Sequence, residues 1–297
     1  MKHKDEVGFE DPVLEIKPSY EENLLNYYEE AGLDYGVWSE EFHMHFGFWR
    51  KGINPFKRER MLEETNEQVF ESLKVEEGGR YLDAGCGVGA TARQFTKKFL
   101  KSKLDAISLV PKQIERAKEM SDESESLEYY VDNFEGSRMQ SGVYDGAYAL
   151  ESSCHGHGEG KKAFSLEMAR LLKSGGRLVV FDLMEHGGRM NGFVSKLYKR
   201  MCQCWAVDRF ARKDEFLKCL EKAGFELVEE KDVSWSMVPS VLHIPVVVLK
   251  FLGIEWKSLH KLDEQRKNNV LGPIYGFFFG LIGRRYVGYY KLILRKR

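Results

Sequence analysis

The sequence has little net charge and no uninterrupted apolar run of the length needed to cross a bilayer. The formal net charge is −1 over 297 residues, of which 31% are charged, so nothing in the composition indicates a nucleic-acid partner. Residues 1–6 are polar and lack the apolar core of a signal peptide. We therefore expect a cytoplasmic protein with one large domain, or one domain with additions.

Cysteine is also scarce, and its spacing argues against two kinds of site. The five cysteines are an odd number and contain no C-x-x-C pair, which favours free thiols in a reducing compartment over a disulfide framework. Two histidine pairs, His43-x-His45 and His155-x-His157, invite a metal interpretation, but no cysteine or acid completes a good ligand set. We therefore expect no metal.

Glycine is concentrated directly after a short apolar segment that ends in Asp83. Gly85, Gly87 and Gly89 alternate there, and a helical pattern begins at Ala90. This arrangement lets a backbone approach a nucleotide-like ligand, because a Cβ would block the turn or the ligand. The spacing fits the dinucleotide fingerprint G-x-G-x-x-G/A, a weak signal by itself. The acid favours a second interpretation, since Asp83-x-Gly-x-Gly-x-Gly resembles the first motif of S-adenosylmethionine (AdoMet) methyltransferases.

Strand and helix patterns alternate after the glycine turn, which is typical of a doubly wound α/β fold. The expected strands are 103–109, 127–131, 144–150, 177–184 and 225–229, with helices at 58–73, 111–120, 161–173 and 216–223. Ligands bind such folds at the carboxyl ends of the strands. We therefore expect Asp83, Ser108, Asp132 and Glu151 to converge on one crevice.

Three further segments resemble sterol and isoprenoid C-methyltransferases. The aromatic segment Tyr27–His43 is similar to the region near the start of the sterol enzymes, and Tyr148–His155 is similar to their segment after strand four. Ile107–Gln113 resembles the second-strand signature of the same group. The sequence departs from the pattern at Ser108-Leu109, where many methyltransferases have an acid that binds ribose. No match extends beyond about residue 235.

The resemblance implies a class I, Rossmann-like methyltransferase fold, which is a doubly wound, mostly parallel, seven-stranded sheet. An N-terminal arm and aromatic substrate cap would occupy residues 1–60, with a helix at 21–30. The AdoMet-binding core would occupy 61–235, with 186–212 as an insertion over the site. Residues 236–297 would form an apolar helical region and the last strand, at 286–294.

The resemblance also implies roles for individual side chains. AdoMet would be bound by Asp83, Gly85, Gly87 and Gly89, with Gln113, Asp132 and Asn133 as further contacts by position. A hydrophobic substrate would lie against Tyr27, Tyr35, Trp38, Phe42 and Phe46, although an aromatic run is also typical of an ordinary core. Glu151 would be the catalytic carboxylate, with His43, His155 and Tyr28 as further catalytic groups. Histidine suits a proton acceptor because it titrates near working pH.

Two apolar stretches lie in the C-terminal region, at 241–254 and 271–283. Basic residues outnumber acidic ones from Lys257 onward. Apolar segments flanked by lysine and arginine suit an anionic membrane surface, so one interpretation is peripheral membrane contact through 241–297. The other is that these stretches only cover the substrate pocket.

The function that we predict is AdoMet-dependent C-methylation of an alkene carbon in a sterol or other isoprenoid lipid, through a carbocation. Cations of this kind are stabilised by aromatic faces and carboxylates. The alternatives are N- or O-methylation of a small metabolite or quinone-type phenol, and a non-catalytic AdoMet- or lipid-binding module. An NAD(P)-dependent oxidoreductase is disfavoured by Asp83 and by the absence of an acid after strand two.

Overall fold

The computed structural model describes residues 18–255 and 264–297. Its centre is an eight-stranded sheet in the order β3-β2-β1-β4-β5-β8-β7, with β6 paired to β5. The strands are β1 Arg80–Ala84, β2 Lys103–Ser108, β3 Leu127–Val131, β4 Tyr144–Leu150, β5 Leu172–Glu185, β6 Ala211–Arg212, β7 Phe225–Asp232 and β8 Val287–Lys296. The expected arm at the start of the chain falls largely within 1–17, outside the described residues.

The pairing of the strands gives the class I methyltransferase fold that was expected. The strands from β3 to β5 are parallel, whereas β8 runs antiparallel to both β5 and β7. The sheet has one strand more than predicted because two residues of the 186–212 insertion, Ala211 and Arg212, pair with Met184 and Glu185 at the end of β5.

Ten helices pack on the sheet or beyond its carboxyl edge in the described residues. They are α1 Pro18–Trp38, α2 Arg58–Leu73, α3 Ala90–Lys98, α4 Pro111–Glu119, α5 Lys162–Leu171, α6 Gly192–Cys204, α7 Lys213–Lys222, α8 Ser234–Val241, α9 Ile244–Glu255 and α10 Glu264–Ile282. The predicted helix at 21–30 is part of the longer α1, and the one at 58–73 has the predicted ends.

Alternation along β1 divides the hydrophobic core into two layers. Leu82 packs with Phe164 of α5 and Phe216 of α7 on one face of the sheet. Tyr81 packs with Phe70 of α2 and Phe95 of α3 on the other face. Successive side chains of a strand point to opposite faces, so a strand that is buried on both sides is apolar at nearly every position.

The boundary between α5 and β5 differs from the prediction. The helix expected to reach residue 173 ends at Leu171, because Leu172 already pairs with Tyr144 of β4. The ladder is irregular before Arg177 pairs with Gly146, so the Ser174–Gly176 segment lies within β5 and does not terminate the helix.

A third cluster lies beyond the carboxyl edge of the sheet, where α10 packs on α6. Gly272 and Gly276 of α10 face Trp205, and a Cβ at either glycine would lie 2.7 or 2.6 Å from atoms of the indole. Cys202 and Cys204 are buried in this region, as expected for thiols that serve packing.

Candidate active site

The glycine turn between β1 and α3 requires its glycines. Gly85, Gly87 and Gly89 have φ angles of 106°, 53° and 77°, in the left-handed region that L side chains rarely adopt. A Cβ on Gly87 would also lie 2.7 Å from Sδ of Met44. The amides of Gly85 and Cys86 both donate to the carbonyl of Ile107, which fixes the turn to the end of β2.

A cavity of about 730 Å³ adjoins this turn, and we call it the turn cavity. Its polar part contains Ser108 and Gln113, whose side chains are joined by a hydrogen bond of 2.7 Å from Ser108 Oγ to Gln113 Oε1. Its apolar part contains Leu109, Val110 and Phe134. The cavity therefore combines a closely approachable backbone with polar and apolar walls, which suits a nucleoside ligand.

Asp83 lies in the turn cavity and is almost completely buried. The hydroxyl of Tyr148 donates a 2.7 Å hydrogen bond to its Oδ2. Burial raises the pKa of Asp83 to about 7, although the hydrogen bond from Tyr148 opposes the rise. A nearby positive charge would favour its ionised form.

Asp132 and Asn133 do not line the turn cavity. The carboxylate of Asp132 accepts hydrogen bonds from the amides of Asn133 and Arg138, at 2.9 and 3.0 Å, and Asn133 Oδ1 accepts from the amide of Glu135. The expected convergence of Asp132 with Asp83 and Glu151 is therefore corrected, because its side chain stabilises the loop after β3.

A second cavity, which we call the aromatic cavity, has about 1170 Å³ of empty space including its mouth. Helix α1 and the segment after it supply five of the predicted substrate and catalytic residues to its wall. They are Tyr27, Tyr28, Tyr35, Trp38 and Phe46. The opposite wall is apolar and comes from α9, and it consists of Ile244, Val247, Val248 and Phe251.

Phe42 was expected in the same aromatic wall but lies elsewhere. It borders the turn cavity, with the guanidinium of Arg116 5.5 Å from its ring centroid. Its φ angle of 61° turns the chain back after α1, which separates it from Trp38 and Phe46. Its predicted place in the aromatic wall is therefore corrected.

The two cavities meet at a junction formed by residues that line both. These are Tyr28, Met44, His45, Glu151 and His155. A reaction between a ligand in one cavity and a ligand in the other would take place here.

Glu151 is held rigidly at this junction. It has a φ angle of 50°, which is strained for a residue with a side chain, and its amide donates to the carbonyl of Phe181. Its Oε1 accepts hydrogen bonds from the amide of Phe46, at 2.6 Å, and from the hydroxyl of Tyr289, at 2.8 Å. Within the described part of the chain, no hydrogen bond reaches Oε2. Burial raises the pKa of Glu151 to about 8.

His155 forms the second polar element of the junction. Its Nε2 lies 2.8 Å from the hydroxyl of Tyr28. Burial, assisted by the positive charge of nearby Lys161, lowers the pKa of His155 to about 4, so the imidazole is neutral at physiological pH. The pKa of Tyr28 is raised by burial, so its hydroxyl stays protonated. A neutral imidazole next to a hydroxyl can accept a proton.

His43, the other predicted base, lines neither cavity. Its ring nitrogens lie 3.1 Å from Ser39 Oγ and 3.1 Å from Asn66 Nδ2, and only 3% of the residue is exposed. It therefore holds the segment after α1 in place, and its predicted catalytic role is corrected. His45, two residues later, is at the junction instead, and burial lowers its pKa to about 3.

Two polar residues of the site were missed by the sequence analysis. Asp182 lines the aromatic cavity near the end of β5, where its Oδ2 accepts hydrogen bonds from Ser153 Oγ and the amide of Cys154. Asp182 could have been predicted, because an acid inside the apolar strand expected at 177–184 indicates a polar site. Tyr289 comes from β8, and nothing in its local sequence indicated a partner 138 residues away.

No group of three or more His, Cys, Asp or Glu residues in the described ranges could hold a metal ion.

Comparison with known proteins gives the family. The family model described as "Methyltransferase domain" matches residues 82–180. The chain is similar to methyltransferase GfsG from Streptomyces halstedii, with 30% identity over 223 residues that cover 71% of this chain and 77% of that protein. The chain belongs to the AdoMet-dependent methyltransferases. The predicted cofactor and enzyme class are thereby confirmed.

This methyltransferase is also similar in sequence to one further enzyme and in fold to another. It is 28% identical over 237 residues to the S-adenosyl-L-methionine-dependent Diels-Alderase iccD from Talaromyces variabilis, covering 71% of this chain and 77% of that protein. It also shares its fold with geranyl diphosphate C-methyltransferase from Streptomyces coelicolor A3(2), with a TM-score of 0.71 and 15% identity over 95% of this chain and 99% of that one.

The turn cavity of the methyltransferase fits AdoMet. Gly85 and Gly87 of the turn line this cavity, and the buried carboxyl of Asp83 suits a site that receives a positively charged group. The apolar side chains of Leu109, Val110 and Phe134 would bind adenine. Ser108 and Gln113 form the polar part of its wall.

Proposed function

We propose that this methyltransferase methylates a carbon atom of an uncharged isoprenoid lipid, of sterol-like character, and that a carbocation forms on the substrate. The observation that carries the proposal is the aromatic cavity, which is walled by the rings of α1 and by the apolar face of α9 and contains Glu151 where it meets the turn cavity. Aromatic faces and a carboxylate are the groups that stabilise a carbocation in a water-excluding site.

The lining of the aromatic cavity favours a substrate without a diphosphate. Among the described residues it includes no lysine or arginine. A diphosphate buried there would lack the charge-assisted hydrogen bonds that its desolvation requires. Asp182, an acid in the same wall, would repel it further. We therefore prefer a neutral sterol or hydrocarbon over a prenyl diphosphate.

The polar groups of the junction can supply the remaining steps. When bound, AdoMet supplies an electrophilic methyl group on a positively charged sulfur. Glu151 is protonated at neutral pH in the protein alone, and a positive charge nearby lowers the pKa of a carboxyl, so its ionised form would face the developing cation. Its fixed Oε1 leaves Oε2 to act on the substrate.

Loss of a proton from the cation would complete the reaction. The hydroxyl of Tyr28 is hydrogen-bonded to Nε2 of neutral His155. Tyr28 Oη would accept the substrate proton while its own proton passes to Nε2, so the proton ends on the imidazole and the electron pair of the broken C–H bond forms the new alkene. General base catalysis of this kind contributes about 10²–10⁴ in rate.

The same Tyr28–His155 pair favours one alternative. A phenol lying in the aromatic cavity could lose its proton to this pair, and its oxygen would then be methylated. This alternative needs neither Glu151 nor a cation-stabilising wall, whereas C-methylation uses both.

The experiment that tests the proposal is incubation of the purified enzyme with methyl-labelled AdoMet and four acceptor classes: sterols, squalene-like hydrocarbons, prenyl diphosphates and quinone-type phenols. We expect a product with one added carbon on a sterol or hydrocarbon, identified by mass analysis. Labelling confined to phenol oxygen would overturn C-methylation. Labelling confined to prenyl diphosphates would overturn the preference for an uncharged lipid.

A further inference from the structure

Helix α9 has two apolar faces. Ile244, Val247 and Val248 point into the aromatic cavity. Leu242, just before the helix, and Val246 and Leu249 within it point outward and are 56%, 53% and 69% exposed. Their spacing of four and three residues places these three on one side of the helix. A single helix therefore separates the substrate cavity from an exposed apolar surface.

Neighbouring elements extend this surface. Trp235 of α8 is 73% exposed, and the guanidinium of Arg284 lies 3.6 Å from its ring centroid. The end of α10 adjoins α8, since a Cβ on Gly280 would lie 3.9 Å from Val241. We call this surface the docking face, and it comprises Trp235, Leu242, Val246, Leu249, Phe278, Leu281 and Ile282. These side chains come from α8, α9, α10 and the turn between α8 and α9, and an exposed apolar patch on a domain indicates a binding surface.

Basic residues accompany the docking face. Lys250 follows Leu249 on α9 and is exposed, and Arg284 and Arg285 follow α10. In the part of the chain that the structure describes, none of the three forms an ion pair. Lys291 and Arg295, by contrast, pair with Glu229 and Glu226 of β7. Some of the basic residues in the C-terminal region are therefore neutralised by ion pairs. Lys250, Arg284 and Arg285 lie beside the docking face.

Segment Ser234–Gly253 is long and apolar enough to cross a membrane, which the sequence analysis did not expect. Its contacts nevertheless keep it on the domain. The amide of Gly47 donates to Ser240 Oγ at 2.8 Å, and the amide of Trp49 donates to the carbonyl of Ser236 at 2.7 Å. The segment also supplies a wall of the aromatic cavity. These contacts place the segment on the surface of the domain.

We propose that the docking face binds an anionic membrane surface, with α9 lying parallel to the bilayer between the lipid and the aromatic cavity. The apolar side chains would enter the interface while the exposed Lys250 and Arg285 contact lipid phosphates. The lipid acceptor would then enter the aromatic cavity from the membrane, a step that rests on the proposed function.

The test is co-sedimentation with vesicles of phosphatidylcholine containing one quarter phosphatidylglycerol, without AdoMet or substrate. We expect the full chain to bind at low salt and to dissociate progressively as salt rises. The double variant Leu242→Ser, Leu249→Ser should bind at least tenfold more weakly, because two exposed apolar anchors are lost. The control Leu100→Ser, Leu166→Ser changes two leucines that are 78% and 52% exposed elsewhere, and should bind like the wild type.

Three results would overturn membrane docking: no sedimentation at low salt, equal binding by the double variant and the wild type, or a lipid-free dimer that the double variant abolishes. The last would make the face an interface between copies of this chain. Vesicle binding does not depend on the acceptor. If the double variant loses binding but no lipid acceptor is methylated, the proposed function fails while docking stands.

Discussion

Replacing Glu151 by glutamine should stabilise the fold and impair catalysis, and both effects follow from its surroundings. Glutamine has nearly the same shape and keeps an oxygen that can accept from the amide of Phe46 and the hydroxyl of Tyr289. What it removes is the capacity to ionise. Comparing the variant with the wild type therefore measures the loss of folding stability that comes from burying an ionisable carboxyl at the junction.

The cost can be calculated from its pKa. In the folded protein Glu151 titrates at about 8, compared with an ordinary value of 4.5. Between these values the folded state keeps a proton that the unfolded state has lost, so wild-type stability falls as pH rises from 4.5 to about 8 and then levels off. At about 1.4 kcal/mol per pH unit the full loss is about 5 kcal/mol, and water in the cavity reduces it, so we expect about 2–5 kcal/mol.

The assay is urea unfolding of wild type and Glu151→Gln at pH 5 and pH 8.5, without AdoMet. The variant should gain stability relative to the wild type by about 2–4 kcal/mol between the two pH values. Asp83 and Asp182 also have a raised pKa, but they are present in both proteins and largely cancel. The exposed Glu123→Gln variant serves as a control and should show no such gain.

Turnover should change in the opposite direction. Removing the charge that faces a developing cation should lower kcat by about 10²–10³, with AdoMet affinity little changed. Parallel pH dependences of stability for the variant and the wild type would refute the burial argument. A loss of AdoMet affinity with unchanged turnover at saturation would remove Glu151 from the reacting centre.

Three further variants test other parts of the site. Gly87→Val should abolish AdoMet binding in calorimetry while the protein remains folded, because a Cβ at φ 53° would meet Met44, and unchanged binding would contradict the turn assignment. Tyr28→Phe should lower kcat by about 10²-fold or more without changing AdoMet affinity, whereas the neighbouring control Tyr27→Phe should have a small effect; equal losses would indicate packing alone. Lys161→Met should lower the free energy of unfolding by about 2–4 kcal/mol, since the buried ammonium donates to three backbone carbonyls, and an unchanged urea midpoint would refute this.

Local sequence patterns predicted the fold and the turn cavity well. The apolar segments before Asp83 and Glu151 are buried strands, and their periodicity is visible without any tertiary information. The glycine turn was identifiable because positions with left-handed backbone are usually occupied by glycine. The strand end at Glu151 was also identifiable, because an acid that follows an apolar run needs a polar environment.

The errors concern residues whose role depends on chain direction outside regular elements. His43 and His45 are equivalent as a pattern, yet the turn at Phe42 buries the first in a hydrogen-bonded loop and brings the second to the junction. Asp132 follows a strand just as Glu151 does, but the loop amides after it were not predictable and they occupy its carboxylate. The hydrogen bond from Tyr289 needs the antiparallel insertion of β8, which no local pattern encodes.

The position of α8–α10 between β7 and β8 bears on how the substrate range of this enzyme could change. The two strands are neighbours, and Asp232 at the end of β7 pairs with Tyr290 of β8. The chain thus leaves the sheet after β7 and re-enters it at β8 at nearly the same point. We call the intervening residues 233–286 the cassette. The entropic cost of closing a loop rises only slowly with its length, so insertions in this segment would add little to that cost. New acceptor specificity could therefore arise in this cassette while the cofactor half of the enzyme remains untouched.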